Sequence, residues 1–166
     1  DLARAVRESL EHLRPWMPWA DSVSADTEFQ RKRLQGVVEQ FTRGEEYQYG
    51  LFPLDESRVL GSFGLMTRRG RGTLEIGYWV HVEAIGRGHA TRATAALTNV
   101  ALDVPGVKHV LIYTDIANHR SAAIPRKLGY ELLRTEEAPR AATSETGRQH
   151  VWQRTTPLDG NGTHDP

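Results

Sequence analysis

A single stretch decides the fold: Val80-His81-Val82-Glu83-Ala84-Ile85-Gly86-Arg87-Gly88-His89-Ala90-Thr91. It leaves an apolar segment, crosses a loop with two glycines and enters a segment rich in Ala and Leu. Glycine lets the backbone approach a ligand closely, and the free N–H groups at the start of a helix favour anions. The stretch therefore predicts a strand end, a phosphate-binding loop and a helix.

The same residues exclude two other kinds of glycine-rich phosphate-binding loop. A dinucleotide-binding loop would need a third glycine, with an acidic residue on a parallel strand soon after, but position 91 is Thr. A Walker loop would need Gly-Lys followed by Ser or Thr, which the loop lacks. A plain tight turn stays open as the alternative until the rest of the chain is considered.

The segments around the loop predict an α/β domain. Two amphipathic helices come first, one ending before Pro15 and one running from the caps Ser24 and Asp26 to Gly44. Strands are predicted at 47–52, 58–66 and 74–80, then a helix at 87–102, a strand at 107–114, a helix at 121–128, and strands at 130–134 and 149–155. This order predicts a mixed, mostly antiparallel sheet with helices on both faces.

Length and composition fit one domain, placed at residues 1–156, followed by a polar tail at 157–166 that we expect to be disordered. Lys plus Arg and Asp plus Glu both number 21, so no net field attracts nucleic acid or an anionic membrane. No cysteine is present, and the histidines lack metal-ligand spacing, so no metal site is expected. Without a signal-like or membrane-spanning stretch, the expected location is the cytoplasm.

Several ordered motifs together resemble the GNAT acetyltransferase superfamily. Its signature, Arg/Gln-x-x-Gly-x-Gly/Ala, falls on residues 85–90. Within that superfamily, residues 74–80 look like the strand before the loop in the ribosomal-protein N-terminal acetyltransferase branch. Asn118-x-x-Ser121 with 127–130 looks like that branch's second cofactor motif, and 13–19 resembles its segment between the first two helices.

The chain departs from the family pattern at two places. Ile85 stands where Arg or Gln is usual, although a loop that binds through backbone N–H groups tolerates this change. The family fold begins with a strand, whereas this chain opens in its first helix, so the first strand is expected to be absent from it. The resemblance also implies a sheet that splays open between the family's fourth and fifth strands.

The resemblance implies acetyl-CoA as co-substrate. The pantetheine arm is expected on the backbone of Val80 and Val82. The diphosphate is expected on the loop and helix start, formed by Ile85, Gly86, Arg87, Gly88, His89, Ala90 and Thr91. Asn118 and Ser121 complete the expected cofactor contacts.

Catalytic and acceptor residues are expected on the sheet and the first loop. Glu75 is the candidate base for the amine, with an ordinary strand carboxylate as the alternative. Ser121 is the candidate proton donor to the thiolate, because the family's tyrosine is missing from 122–125; the alternative is a helix-cap hydroxyl. Trp16 and Trp19 are candidates for walls of the acceptor site, with buried packing as the alternative. The Arg68–Arg71 cluster is expected to be a solvated turn.

The function implied is direct transfer of an acetyl group from acetyl-CoA to a primary amine in a ternary complex. A protein N-terminus is the first acceptor and a small-molecule amine, such as an aminoglycoside, the second. A homodimer is expected by analogy with relatives. Two other classes stay open: a non-catalytic acyl-CoA-binding module and a nucleotide-binding regulatory domain.

Overall fold

The structure is a computed structural model that describes residues 1–158. Its helices are α1 (Leu2–Leu13), α2 (Thr27–Arg43), α3 (His89–Asp103) and α4 (His119–Lys127). Its strands are β1 (Glu46–Leu51), β2 (Gly61–Met66), β3 (Thr73–Val80), β4 (His109–Asp115), β5 (Glu131–Glu137) and β6 (Arg148–Arg154). A 3-10 turn at Val82–Ala84, which the sequence did not predict, lies between β3 and the glycine loop.

The six strands form one mixed sheet in the order β1-β2-β3-β4-β6-β5. The first three form the predicted antiparallel meander, and β4, β6 and β5 also pair antiparallel. Only β3 and β4 pair in parallel, joined by α3. The predicted α/β class and mixed, mostly antiparallel sheet are confirmed.

The sheet opens between β3 and β4. Their pairing covers three positions and ends where Glu75 faces Leu111. Beyond that point β3 continues to Val80 on its β2 side, and β4 continues to Asp115 on its β6 side. The two strands therefore diverge, as predicted; they are the third and fourth strands of this chain because it opens in α1.

The main core lies between the sheet and helices α3 and α4. Ile76, Val110 and Ile112 are at most 2 % exposed and pack with Ala101 of α3. Trp152 belongs to the same cluster, and its indole N–H donates to the Thr114 hydroxyl at 2.9 Å. This packing fixes the start of β3 and β4, so the divergence happens on a rigid base.

Local signals set the ends of the elements. The Asp26 carboxylate accepts the Phe29 N–H at 2.8 Å and caps α2, as predicted, and Gly44 ends that helix at φ 70°. At the C-terminus, Leu158 forms two hydrogen bonds with the Asn99 amide, of 2.7 and 3.2 Å. The expected disordered tail begins at 157, and its residues 159–166 lie outside the described part of the chain.

Candidate functional site

The glycine loop has the backbone shape that its sequence predicts. Gly86 and Gly88 have φ values of 75° and 72°, a region that side chains with a Cβ rarely adopt. A Cβ on Gly86 would meet no heavy atom within 4 Å, whereas one on Gly88 would meet the Arg92 guanidinium at 2.9 Å. Ile85 is extended, at φ −65° and ψ 148°, so its side chain is not needed for the turn.

The N-terminus of α3 is open to an anion. Its first helical bond runs from the Arg92 N–H to the Gly88 carbonyl at 3.0 Å, and no side chain caps the helix. The N–H groups of His89, Ala90 and Thr91 therefore precede the hydrogen-bond ladder, at the positive end of the helix dipole. The loop and the helix start together can hold a diphosphate.

Burial and neighbouring charges favour the neutral form of His89 at this helix start. The Arg92 guanidinium donates to Nδ1 of His89 at 3.2 Å. Burial and then the charges of Arg92 and Arg87 lower the pKa of His89 from its ordinary value. Arg87 and Arg92 carry permanent positive charge beside the ring.

Backbone groups of β3 face the opening. The His81 N–H donates to the Leu60 carbonyl on the β2 side at 2.8 Å, and the Gly72 carbonyl accepts from Lys108 on the β4 side at 2.8 Å. Since peptide directions alternate along a strand, Val80, like Gly72, directs its N–H and C=O towards the side where β4 has diverged. A ligand arm can add there as an extra strand.

Val82 does not share this geometry. It lies in the 3-10 turn beyond the end of β3, and its N–H donates to the buried Ser9 hydroxyl at 3.2 Å. The prediction that Val82 offers strand backbone to a ligand therefore fails for its N–H, because α1 already satisfies that group.

The start of α4 meets β3 across the opening. Asn118 is the N-cap of α4, and its side-chain oxygen accepts the Ser121 N–H at 3.1 Å. The Tyr78 hydroxyl lies 3.2 Å from both the Ser121 carbonyl oxygen and the Ser121 Oγ. Burial raises the pKa of Tyr78, so this hydroxyl keeps its proton. The sequence did not identify Tyr78 as a site residue.

Glu75 is buried and neutralised by arginine. Its side chain accepts from Arg68 through Nε at 3.1 Å and through Nη2, and from Arg69 through Nε. Glu75 is 4 % exposed, so the two guanidinium groups cover almost all of it. Acting as a base would require breaking these charge-assisted bonds. The Arg68–Arg71 turn is thus not simply solvated, because two of its arginines hold this carboxylate.

Aromatic residues border the same side of the sheet. The Trp19 and Trp79 rings lie 6.1 Å apart at 60°, and Trp19 is 40 % exposed. Trp16 is half buried in the same α1–α2 connection. Trp19 thus pairs with Trp79 of β3 rather than with Trp16, and a role of Trp16 and Trp19 as walls of the acceptor site stays a prediction.

A cavity of about 600 Å³ lies beside Glu75 on this side, lined by Arg68, Arg69, Asp115, Gln149 and the β5–β6 connection. The Asp115 carboxylate holds that connection by accepting the Thr146 N–H at 2.7 Å. The Ser144 N–H donates to the Pro15 carbonyl at 2.9 Å, which joins it to the α1–α2 connection.

The two faces of β3 thus point to different parts of the structure. Glu75 and Trp79 point to the cavity and the aromatic wall, whereas Tyr78 and the Val80 backbone point to the opening beside α3 and α4. The strand can separate one ligand from another while leaving a passage between them, which is the arrangement that a transfer between two substrates requires.

This fold and these motifs belong to the GNAT acetyltransferases. A family model described as "Acetyltransferase (GNAT) domain" matches residues 1–131, so the chain is a member of that family. A curated relative is YdaF of Bacillus subtilis (strain 168), named for a proposed ribosomal N-acetyltransferase activity. It is 24 % identical over 130 residues, which is 78 % of this chain and 70 % of YdaF.

Solved structures share the fold. The ribosomal-protein-S5-alanine acetyltransferase from Vibrio fischeri has a TM-score of 0.83 at 17 % identity, covering 93 % of this chain and 85 % of that one. RimL, a ribosomal L7/L12 α-N-protein acetyltransferase in complex with coenzyme A, has a TM-score of 0.82 at 19 % identity, covering 95 % and 88 %. MccE, a self-immunity acetyltransferase in complex with acetyl-CoA and AMP, has a TM-score of 0.83 at 15 % identity, covering 93 % and 85 %.

No helix within residues 1–158 is both long and apolar enough to cross a membrane.

Proposed function

We propose that the protein transfers the acetyl group of acetyl-CoA to a primary amine, with a protein N-terminal amine as the acceptor. The observation that carries this proposal is the opening between β3 and β4, which lies beside the uncapped N-terminus of α3. The diphosphate would bind at Gly86 to Thr91, and the pantetheine arm would add along the outward backbone of Val80. The thioester would then lie in the opening, near α4.

The acceptor would enter from the opposite face of the sheet. That face carries the rings of Trp19 and Trp79, and it also carries a cavity lined by Arg68, Arg69 and the β5–β6 connection, which is joined to the α1–α2 connection. A peptide end fits between such loops, and flat aromatic surfaces suit its backbone. Relatives named for acetylating ribosomal proteins L7/L12 and S5 support a protein N-terminus over a small-molecule amine.

In the proposed reaction the neutral amine nitrogen attacks the thioester carbon. The new N–C bond forms, the C–S bond breaks with its electron pair on sulfur, the amine loses one proton and the sulfur gains one. Backbone N–H groups of β3 near Val80 would stabilise the transient oxyanion, and the Ser121 hydroxyl would donate to the departing sulfur. Since the Glu75 oxygens accept from two arginines, the amine proton would leave through water, with Glu75 holding the cavity wall.

Release of free coenzyme A thiol tests the proposal. The panel contains peptides with free N-termini, the same peptides with acetylated N-termini, aminoglycosides and polyamines. We expect turnover with free N-termini and none with blocked ones. Turnover with aminoglycosides alone would show that the acceptor is a small-molecule amine rather than a protein N-terminus. Binding of acetyl-CoA without turnover for any amine would favour a non-catalytic acyl-CoA-binding module.

Ligand specificity distinguishes the proposed enzyme from a nucleotide-binding regulatory domain. In thermal-shift titrations, coenzyme A should raise the melting temperature and ATP and NAD should not, because a ligand that binds the native state stabilises it. Equal shifts with ATP would favour a nucleotide-binding regulatory domain. A cytoplasmic location and a homodimer belong to the proposal as well, and cell fractionation and sedimentation equilibrium check them.

A further inference from the structure

The tyrosine hydroxyl at the start of α4 comes from a distant part of the chain. Tyr78 lies on β3 and Ser121 in the first turn of α4, 43 residues later. The Tyr78 oxygen is 3.2 Å from both oxygens of Ser121, its carbonyl and its hydroxyl. This contact crosses the opening, because β3 and β4 no longer pair at this level.

The remaining degrees of freedom of Ser121 are few. Its backbone is fixed by the Asn118 cap at 3.1 Å, so the position of its hydroxyl depends on one side-chain torsion and the rotation of the O–H bond. The Tyr78 hydroxyl restricts both.

We infer that Tyr78 is a positioning residue for Ser121 in the proposed acetyl transfer, directing the Ser121 hydroxyl hydrogen towards the departing sulfur. The inference rests on the proposed function. Residues 122–125 read Ala-Ala-Ile-Pro and carry no hydroxyl, and the structure brings the Tyr78 hydroxyl to this helix start from the strand.

The two contacts allow two arrangements of the hydroxyl hydrogens. Each hydroxyl has one hydrogen to donate and lone pairs to accept. When Tyr78 donates to the Ser121 carbonyl, the Ser121 hydrogen is free to point back at Tyr78. When Tyr78 donates to the Ser121 Oγ instead, the Ser121 hydrogen must find a third partner, and the sulfur supplies one. A chain of two hydrogen bonds also polarises the terminal donor.

Tyr78 is suited to donating and unsuited to accepting a proton. Desolvation by burial raises its pKa more strongly than the Ser121 bond lowers it. The hydroxyl therefore stays protonated across the pH range in which amines lose their protons, and it can direct Ser121 throughout that range.

A double-mutant cycle tests this role. The variants are Tyr78→Phe, Ser121→Ala and the double variant, with Tyr49→Phe on β1 as the matched loss of a tyrosine hydroxyl outside the site. For Tyr78→Phe we expect kcat to fall about tenfold, as for the loss of one hydrogen bond in the transition state. For Ser121→Ala we expect at least the same loss, and the double variant should match Ser121→Ala within about twofold, because residues acting through one group are not additive.

Coenzyme A affinity, measured by calorimetry, should stay within about twofold in Tyr78→Phe and Tyr49→Phe, since neither tyrosine hydroxyl is a proposed contact of the cofactor. Unchanged kcat in Tyr78→Phe, or multiplicative losses in the double variant, would overturn the inference while leaving the proposed function intact. A wild-type protein that releases no thiol with any amine would overturn both. If Tyr78→Phe lowered the melting temperature and left kcat unchanged, the Tyr78–Ser121 contact would only stabilise the packing of β3 against α4.

Discussion

Nε2 of His81 lies 2.9 Å from a carboxylate oxygen of Glu8, and this contact joins the turn before the phosphate loop to α1. Nδ1 of the same ring accepts the Glu83 N–H at 3.2 Å, so Nε2 carries the ring hydrogen and donates it to Glu8. His81→Leu would leave the Glu83 N–H without its acceptor in a site that is 3 % exposed. We expect the free energy of unfolding to fall by about 1–3 kcal/mol in urea titrations.

Glu8→Gln is the matched variant on the other side of this contact. It keeps an acceptor oxygen, and the Glu8 side chain is 52 % exposed. We therefore expect a loss of less than about 1 kcal/mol. Equal losses in the two variants would contradict the view that the buried ring, rather than the ion pair, holds the turn.

The Glu75→Gln variant tests whether Glu75 has a structural role beside the cavity or acts as the base for the amine. The amide keeps the size of the side chain but loses the charge that Arg68 and Arg69 share. We expect the free energy of unfolding to fall by about 1–3 kcal/mol, less than for a fully buried pair because both guanidinium groups reach solvent. Turnover should fall by a similar factor at every pH, with the shape of the pH–rate profile kept.

Arg71→Gln in the same turn is the control, since Arg71 is exposed and outside this ion pair. It should change neither stability nor turnover. If Glu75→Gln keeps wild-type stability and loses only the rise of turnover with pH on the acid side of the pH–rate profile, Glu75 is the base after all and the amine proton does not leave through water alone.

The glycine loop could be predicted from the sequence because its geometry depends on local features. Gly86 and Gly88 take positive φ values, which glycine adopts without strain, and the helix that follows supplies the N–H groups. The side-chain alternation of β3 is equally local, and it puts Glu75 and Trp79 on one face.

The rest depended on side-chain contacts across a turn or between segments far apart in the sequence. Nothing near Arg68 indicates that it reaches Glu75 across the β2–β3 turn, and nothing near Tyr78 indicates that α4 starts beside its hydroxyl. Val82 was misplaced for the same reason, because Ser9 lies 73 residues away. Strand periodicity gives the face of a side chain but not the partner that packs on that face.

Gly88→Val should abolish binding of coenzyme A. Valine is strained at a φ of 72°, and its Cβ would lie 2.9 Å from the Arg92 guanidinium, on the path by which a diphosphate reaches the helix start. We expect at least a hundredfold loss of affinity by calorimetry, of the order that one or two lost charge-assisted hydrogen bonds of about 1.5–3 kcal/mol each would give.

Gly36→Ala is the matched control, because a Cβ there meets nothing within 4 Å and α2 is an ordinary helix at that point. It should leave affinity unchanged and stabilise the protein by about 0.5–1 kcal/mol. Tight binding of coenzyme A by the folded Gly88→Val variant would show that the loop is not the diphosphate site.

Trp19→Ala should weaken binding of the acceptor and leave binding of the cofactor unchanged. Its ring packs against Trp79 on the cavity side of β3, away from the opening beside α4. We expect the KM for a peptide N-terminus to rise about tenfold, as for the loss of one aromatic contact of about 1.4 kcal/mol, with the affinity for coenzyme A unchanged. Leu54→Ala, at a fully exposed position, is the control. An unchanged peptide KM in Trp19→Ala would place the acceptor elsewhere.

His89 should link coenzyme A binding to pH. Burial, Arg92 and Arg87 lower its pKa in the free protein from 6.5, so the ring is neutral at pH 7. Because its pKa is depressed by folding, its contribution to stability is present above about pH 6.5 and is lost as the pH falls through the folded value. A diphosphate bound at the helix start reverses the local charge and favours the protonated ring. Binding should therefore take up a proton, and the ring should make affinity rise as the pH falls from 7.5 to 5.5.

The ligand titrates in the same range with the opposite effect, because a phosphate monoester loses charge below about pH 6 and its attraction to Arg87 and Arg92 weakens. His89→Gln separates the two contributions, since glutamine keeps a polar side chain at the helix start without a titrating group. Calorimetry in two buffers of different ionisation enthalpy counts the protons taken up. We expect the wild-type protein to take up more protons than His89→Gln between pH 6 and 7; equal uptake would show that His89 does not face the bound phosphates and that Arg87 and Arg92 alone attract them.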